Sequence, residues 1–347
     1  MKTLHILCLS LLSLASIALA RGADSEFIVD RTFDASQITS IEAKTFEGNI
    51  NVIGEDRDDI SLTATIEITG VSKERGEKIY EKIEQTFEIT EGTLAITFDY
   101  ESNGLRDFIS STSTTVDITL HTPSHIAQDL STSNGNITAE FIDAPIEADS
   151  SKGNLTFKNI HASIEAETNG GNINVTTVEG SLELDTSGGH ITLTDITGNT
   201  NAKTSGGNLT FENITGHIDA KTSGGHIRLT NINGNTDVKT SGGNITLEAM
   251  VGGVEAKTSG GHIKATFPEG LTSDTSLKSS GGHITVHFPT ATAFHLDAKT
   301  SGGKVQTDFP ITVSGEFASS RAEGDVNGGG PQLSLKTSGG HIKVKIL

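Results

Sequence analysis

Between Gly189 and Gly243 a glycine falls at every ninth residue, and apolar and polar positions alternate in the stretch after each one. Alternation at a period of two marks strands with one buried face. In one half of each eighteen-residue unit the inward pair is Ile191 and Leu193, then Leu209 and Phe211, then Ile227 and Leu229. In the other half it is Thr200 and Ala202, then Ile218 and Ala220, then Thr236 and Val238. A third apolar column, Ile196, Ile214 and Ile232, closes the first half at a bend. Two short strands and two turns per unit predict a flattened β-solenoid, with coils stacked at about 4.8 Å. A left-handed hexapeptide helix would need an aliphatic residue every six positions, and the run Ile191, Thr197, Lys203 fails that requirement. Parallel crossovers favour the right hand. The expected class is therefore all-β, a right-handed β-helix or β-roll.

The same period fixes the turns. Strings such as "KTSGGHIRLT" and "KTSGGNITLE" return with Thr132, Ser150, Thr168, Thr186, Thr204, Thr222, Thr240 and Thr258 eighteen residues apart, and an outlying early copy, "KTFEGNINV", starts at Lys44. Later copies begin at Ser279, Thr300 and Thr337. Gly206-Gly207 falls where the chain must reverse, which predicts φ > 0. The next position holds His190, Asn208, His226, Asn244, His262 and His283. Asn and His tolerate left-handed backbone, so these read as turn residues and not as a metal-binding ladder. Alternation with Asn also spaces most of these histidines two coils, about 9.6 Å, apart. The threonines align with the inward Ala column, which predicts a buried ladder whose hydroxyls bond to backbone or to each other.

Outside the repeats the pattern changes. Residues 21–125 contain alternating runs, "DISLTATIEI" and "FEITEGTLAITFDY". Between them "SKERGEKIYEKIEQ" carries Ile79 and Ile83 at helical spacing behind a Ser72 N-cap, which predicts one short helix covering the first coil. Residues 101–115 read as a mobile loop, 126–347 as solenoid, and about 310–331 as an insertion in it. Residues 1–20 read as a signal peptide: Lys2, an apolar run, then Ala18-Leu19-Ala20 before the expected start at Arg21. Cys8 follows Leu7, where a lipobox needs a small residue, and no C-terminal anchor is apparent. Cys8 is the single cysteine, so a processed chain has no disulfide and no Cys-ligated zinc. The net charge of −19 argues against nucleic acid as a partner.

The "TSGGHI" and "TSGGNI" strings, the segments "GHIKATFPEG" and "GHITVHFP", and the closing "VNGGGPQLSLKTSGGHIKV" resemble a bacterial family, DUF4097, also described as β-strand repeat-containing proteins and candidate adhesins. The resemblance covers most of the chain beyond the leader. It implies a β-solenoid in the cell envelope or outside the cell, and brings no catalytic residues with it.

The residues bear on three functions. A polysaccharide-active β-helix enzyme would use clustered acids and stacking aromatics, but Trp is absent and Tyr80 and Tyr100 lie outside the repeats. An ice-binding Thr face is broken by Arg228, Glu212, Glu248 and Lys264. A non-catalytic exported adhesion, scaffold or surface-binding protein remains, binding a protein or a glycan. It would be periplasmic, at the cell surface or extracellular, with no transmembrane segment and no required cofactor. One feature suggests a site. The outward columns of the second strand read Glu147, Glu165, Glu183, Asn201, Asp219, Asp237, Glu255 and Asp149, Glu167, Asp185, Lys203, Lys221, Lys239, Lys257. From Asp219 onward acid stands beside base. In the three earlier coils Glu147, Asp149, Glu165, Glu167, Glu183 and Asp185 share one face. Stacked like charges are destabilising unless something compensates; a hard cation such as Ca²⁺ or a basic partner would do so, and a solvated face that tolerates the repulsion is the alternative. The "NIT", "NLT" and "NVT" sequons at Asn136, Asn154, Asn174, Asn208, Asn213 and Asn244 arise from the repeat composition.

Overall fold

The computed structural model describes residues 19–21, 24–100, 113–313 and 318–347. The expected signal peptide, but for its last two residues, and nearly all of the loop at 101–115 lie outside them. The described chain is nearly all-β, with one helix at Lys73–Tyr80. Two sixteen-stranded sheets face each other. Sheet A carries the longer strands, such as Leu209–Thr215, and sheet B the five-residue strands, such as Ile218–Thr222. Each strand pairs in parallel with its copy one coil away: Leu209 opposes Ile191 and Ile227, and Ala220 opposes Ala202 and Val238. The fold is the predicted two-strand solenoid.

The core lies between the sheets. Ile191, Leu193, Phe211 and Leu229 of sheet A and Ala202 and Ala220 of sheet B are completely buried. Large residues on one sheet against small ones on the other let the sheets approach closely. Burying such apolar columns at about 25 cal/mol per Å² is the main stabilising term, because no coil has a core of its own.

Strict alternation fails once per coil, and the failure has a cause. In Leu209–Thr215 the residues Glu212 and Asn213 both point outward before Ile214 turns in. Asn213 has φ 57°, and Asp195, Asn231, Thr177 and Asn159 share that left-handed conformation. The ladder skips them, pairing Thr194 with Glu212 and Ile196 with Ile214. Asn and Asp suit the position because they tolerate this backbone. Their side chains also link coils: Asn213 Nδ2 donates to Asp195 Oδ1 at 2.8 Å, and Asn231 Nδ2 to Asn213 Oδ1 at 3.0 Å.

This corrects the expected place of the left-handed residues. Neither Gly206-Gly207 nor the Asn or His after them has φ > 0, whereas Gly198, Gly216, Gly234 and Gly252 on the opposite edge do. Gly207 is needed for proximity. A Cβ there would lie 1.8 Å from the carbonyl oxygen of Gly189 one coil below. Gly206 has nothing nearer than 3.6 Å. The two glycines of the string thus play different parts.

The ends are not the chain termini. The first coil, Ser40–Thr45 and Ile50–Glu55, is placed by the sequence with the cap, yet it lies inside the stack. On one side it pairs with Ala127–Thr132 and Ile137–Ile142, and on the other with Thr93–Tyr100 and Ser113–Pro123. The last coil behaves alike. Gln332–Thr337 slots between Thr275–Ser279 and Phe294–Thr300, and Ile342–Ile346 between Ile284–Phe288 and Val305–Thr307. Antiparallel strands finish both sheets at the N-terminal end, including Asp59–Thr69 and Ile83–Thr90, and sheet B at the other end, including Arg321–Val326, where sheet A finishes in the parallel strand Val305–Thr307. Such strands cover parallel rungs that would otherwise template another chain. The helix does not lie across the first coil as expected. It packs against Asp24–Asp34 and Asp59–Thr69, with Ile79 buried. Ile83 opens the next strand, and Ser72 caps the helix through its backbone carbonyl, with no side-chain bond.

Candidate functional site

The outward residues of sheet B flank its buried Ala column, so strand register places each of them directly above its counterpart. Glu147 opposes Glu165 and Glu165 opposes Glu183; Asp149 opposes Glu167 and Glu167 opposes Asp185. The six predicted carboxylates therefore share one face. They are exposed, whereas the corresponding residues from Asn201 to Lys257 are only half exposed. The difference follows from pairing. Lys221 Nζ lies 2.7 Å from Asp219, Lys239 lies 2.8 Å from Asp237, and Lys257 pairs with Glu255. Each pair folds flat across its own strand.

The acidic end shows the effect of like charge. Asp129 continues the first column below Glu147. Asp129 and then burial, with Glu165 and Asp149, hold the Glu147 carboxyl above its usual range. Burial, with Glu42 and Asp149, does the same to Asp129 against the opposing pull of Lys44. At the other border the repulsion is relieved: Asn201 Nδ2 donates to Glu183 Oε1 at 2.7 Å, and Lys203 reaches the same oxygen at 3.4 Å. Among the described residues no group of three or more His, Cys, Asp or Glu side chains is placed to hold a metal ion. The carboxylates make a ladder and not a cage.

Beyond Lys257 the lysine column continues, which the sequence reading did not follow. Lys257 opposes Lys278, Lys278 opposes Lys336, and Lys336 opposes Lys299. In the neighbouring column Glu255 gives way to Ser276 and Ser334. The signal was present, since each of these lysines opens a "KTSGG" or "KSSGG" string. What hid it was the order of the last two coils, which runs against the chain.

The turn edge beside this face is chemically closed. Thr204 Oγ1 donates to the Gly189 carbonyl at 2.9 Å and accepts from Gly207 N–H at 3.1 Å. Thr222, Thr240 and Thr258 repeat the pattern, and all four are buried as expected. The Asn and His after each Gly-Gly accept a backbone N–H from the next coil. His190 Nδ1 receives it from Asn208, and Asn208 Oδ1 from His226, both at 2.8 Å. Asn and His alternate because both offer an acceptor at the same reach. His262, His283 and His341 are consecutive in space and stack with ring centroids 4.9 and 5.1 Å apart. That is closer than the two-coil spacing expected for most histidines. Burial, with its two neighbours and Lys343, holds the His283 pKa below the usual histidine range.

The family model described as Toastrack DUF4097 matches residues 38–236 and 231–345. This chain belongs to the Toastrack DUF4097 family. Solved structures similar to this Toastrack chain include a candidate adhesin from Parabacteroides distasonis, at 12% identity, covering 92% of this chain and 97% of that one, with a TM-score of 0.29. A candidate lipid binding protein from the same species shows 14% identity, with coverage of 92% and 96% and a TM-score of 0.31. A candidate cell adhesion protein from Clostridium sporogenes shows 11% identity, with coverage of 92% and 99% and a TM-score of 0.22. Likeness at this level says nothing about what this chain binds. No curated protein matches it.

Proposed function

We propose that this Toastrack chain is a non-catalytic, exported rod of the bacterial cell envelope that binds a repeating surface through the outer face of sheet B. The observation that carries the reading is the register of that face, where charged columns advance one residue per coil over most of the stack. Such a face suits a partner that also repeats. Catalysis would need an acid and a base held in a cleft, and the acids of this face stand on an open ladder. Among the described residues no helix is long and apolar enough to cross a membrane. The test is retention of the purified protein on isolated cell envelopes. Saturable retention that weakens with salt is expected. Loss of binding from every envelope fraction, or a measurable glycan-cleaving activity, would overturn the reading.

The acidic end favours a second reading, because Asp129 and the neighbouring acids, with burial, hold the Glu147 carboxyl above its usual range, a sign of like-charge repulsion. On it, Glu147, Asp149, Glu165, Glu167, Glu183 and Asp185 retain Ca²⁺ diffusely along the ladder, since hard cations take carboxylate oxygens. Millimolar Ca²⁺ should then raise the thermal midpoint, and Glu165→Gln with Glu167→Gln should reduce that rise. An unchanged midpoint removes this reading and leaves a basic partner as the compensating group.

A further inference from the structure

Sheet B ends in a groove of about 510 Å³ that runs along the stack between the lysine column and the turn edge. One wall is Lys239, Lys257, Lys278, Lys336 and Lys299, which register places on consecutive coils. The other wall presents exposed serines, Ser259, Ser280, Ser338 and Ser301, again one per coil. No carboxylate lines it. The three acids that pair with these lysines, Asp237, Glu255 and Asp297, stand in the other column, and among the described residues Lys278 and Lys299 have no ion-pair partner. The result is a cationic strip on a protein of net charge −19.

We infer that this groove binds a linear acidic polysaccharide lying along the stack, with one anionic group per coil. The inference rests on the envelope-binding reading above and names its partner. A lysine is a compact cation on a flexible stem, suited to following point charges. Repeating it at the strand spacing of about 4.8 Å matches a chain whose acidic units recur at a similar interval. The serine hydroxyls opposite donate to sugar hydroxyls and ring oxygens, contacts that simple counterions would not need. A second copy of this chain could offer an acidic ladder too, but its short carboxylates project from a flat sheet and do not reach both walls of a groove.

The experiment is titration of the full chain with polygalacturonate (carboxylate) and chondroitin sulfate (carboxylate and sulfate), with neutral dextran and single-stranded DNA alongside. Lys278→Gln, Lys336→Gln and Lys299→Gln are combined in one variant. A control, Lys73→Gln with Lys78→Gln, alters charge at the helix. We expect binding of at least one acidic glycan and none of dextran. The triple variant should lose at least tenfold in affinity and flatten the salt dependence, because fewer cation contacts release fewer counterions. Its thermal midpoint should stay close to wild type, since all three side chains point outward and the one ion pair lost, Lys336 with Asp297, lies at the surface and contributes little. The control should bind normally. Equal binding by the triple variant, or DNA binding as tight as the glycans, would overturn the inference. So would self-association of the wild type that the triple variant abolishes, which would identify a second copy as the occupant. Envelope retention separates the two readings: a triple variant still retained like wild type refutes the groove alone, while a wild type never retained refutes the function.

Discussion

The turn edge and the outer face of sheet B are built from the same eighteen-residue repeat and obey different constraints. At the edge every position touches the coil below. Gly207 has no room for a Cβ, Thr204 bridges two glycines, and His or Asn accepts one backbone N–H. On the face, register fixes only where a side chain stands, so the columns drift from Glu to Asn to Asp and from Asp to Lys. The Gly and Thr positions of the repeated strings are therefore structural, while the outward columns are free to carry charge, and the proposed binding rests on those columns.

Substitutions should separate the two regions. The largest effect is expected at Gly207→Ala. A Cβ within 1.8 Å of backbone cannot be relieved by a rotamer, so a loss above about 4 kcal/mol in urea denaturation is expected. Gly206→Ala should cost little by the same measure, and equal losses would show that the edge is not closed by proximity. Next is Thr222→Val, which leaves the buried Gly225 N–H without its acceptor and should cost about 1–3 kcal/mol. A third test is pH. Because the His283 pKa is lowered in the fold, the unfolded chain binds more protons as the pH drops. Stability is full above about pH 6.5 and is lost as the pH falls through the lowered value. Asn at 283 offers an equivalent acceptor. His283→Asn should match wild type at pH 7.5 and hold its thermal midpoint better at pH 5; a parallel decline would contradict the account. The smallest effect belongs to the face. Glu165→Gln should raise the midpoint slightly at pH 7, since it removes one charge that holds the Glu147 carboxyl up.

Much of the fold was legible because the repeat is regular. Inward columns such as Ile191 and Ala202, the Thr ladder and the charge columns all follow from counting by eighteen. The left-handed residues were misplaced because Asn serves two purposes in one coil: Asn208 is an acceptor, and Asn213 is the left-handed bulge. The spacing of three from Leu193 to Ile196 is the trace of that bulge in the sequence. The ends were not legible in this way. Nothing local in "PQLSLKTSGG" says that it will slot between two earlier coils, since that order is set by long-range pairing. The basic groove was hidden for the same reason, because Lys336 precedes Lys299 in space and follows it in the chain.

The central claim is that the edge maintains the fold while the face binds. Thermal midpoint and envelope retention, measured together on Gly207→Ala and on the triple variant of Lys278, Lys336 and Lys299, test it most directly. The glycine variant should lose its midpoint. The lysine variant should keep the wild-type midpoint and lose retention on the envelope. A lysine variant that melts like wild type and is still fully retained would contradict binding by the lysine groove, and a wild type that is never retained would contradict binding by the face altogether.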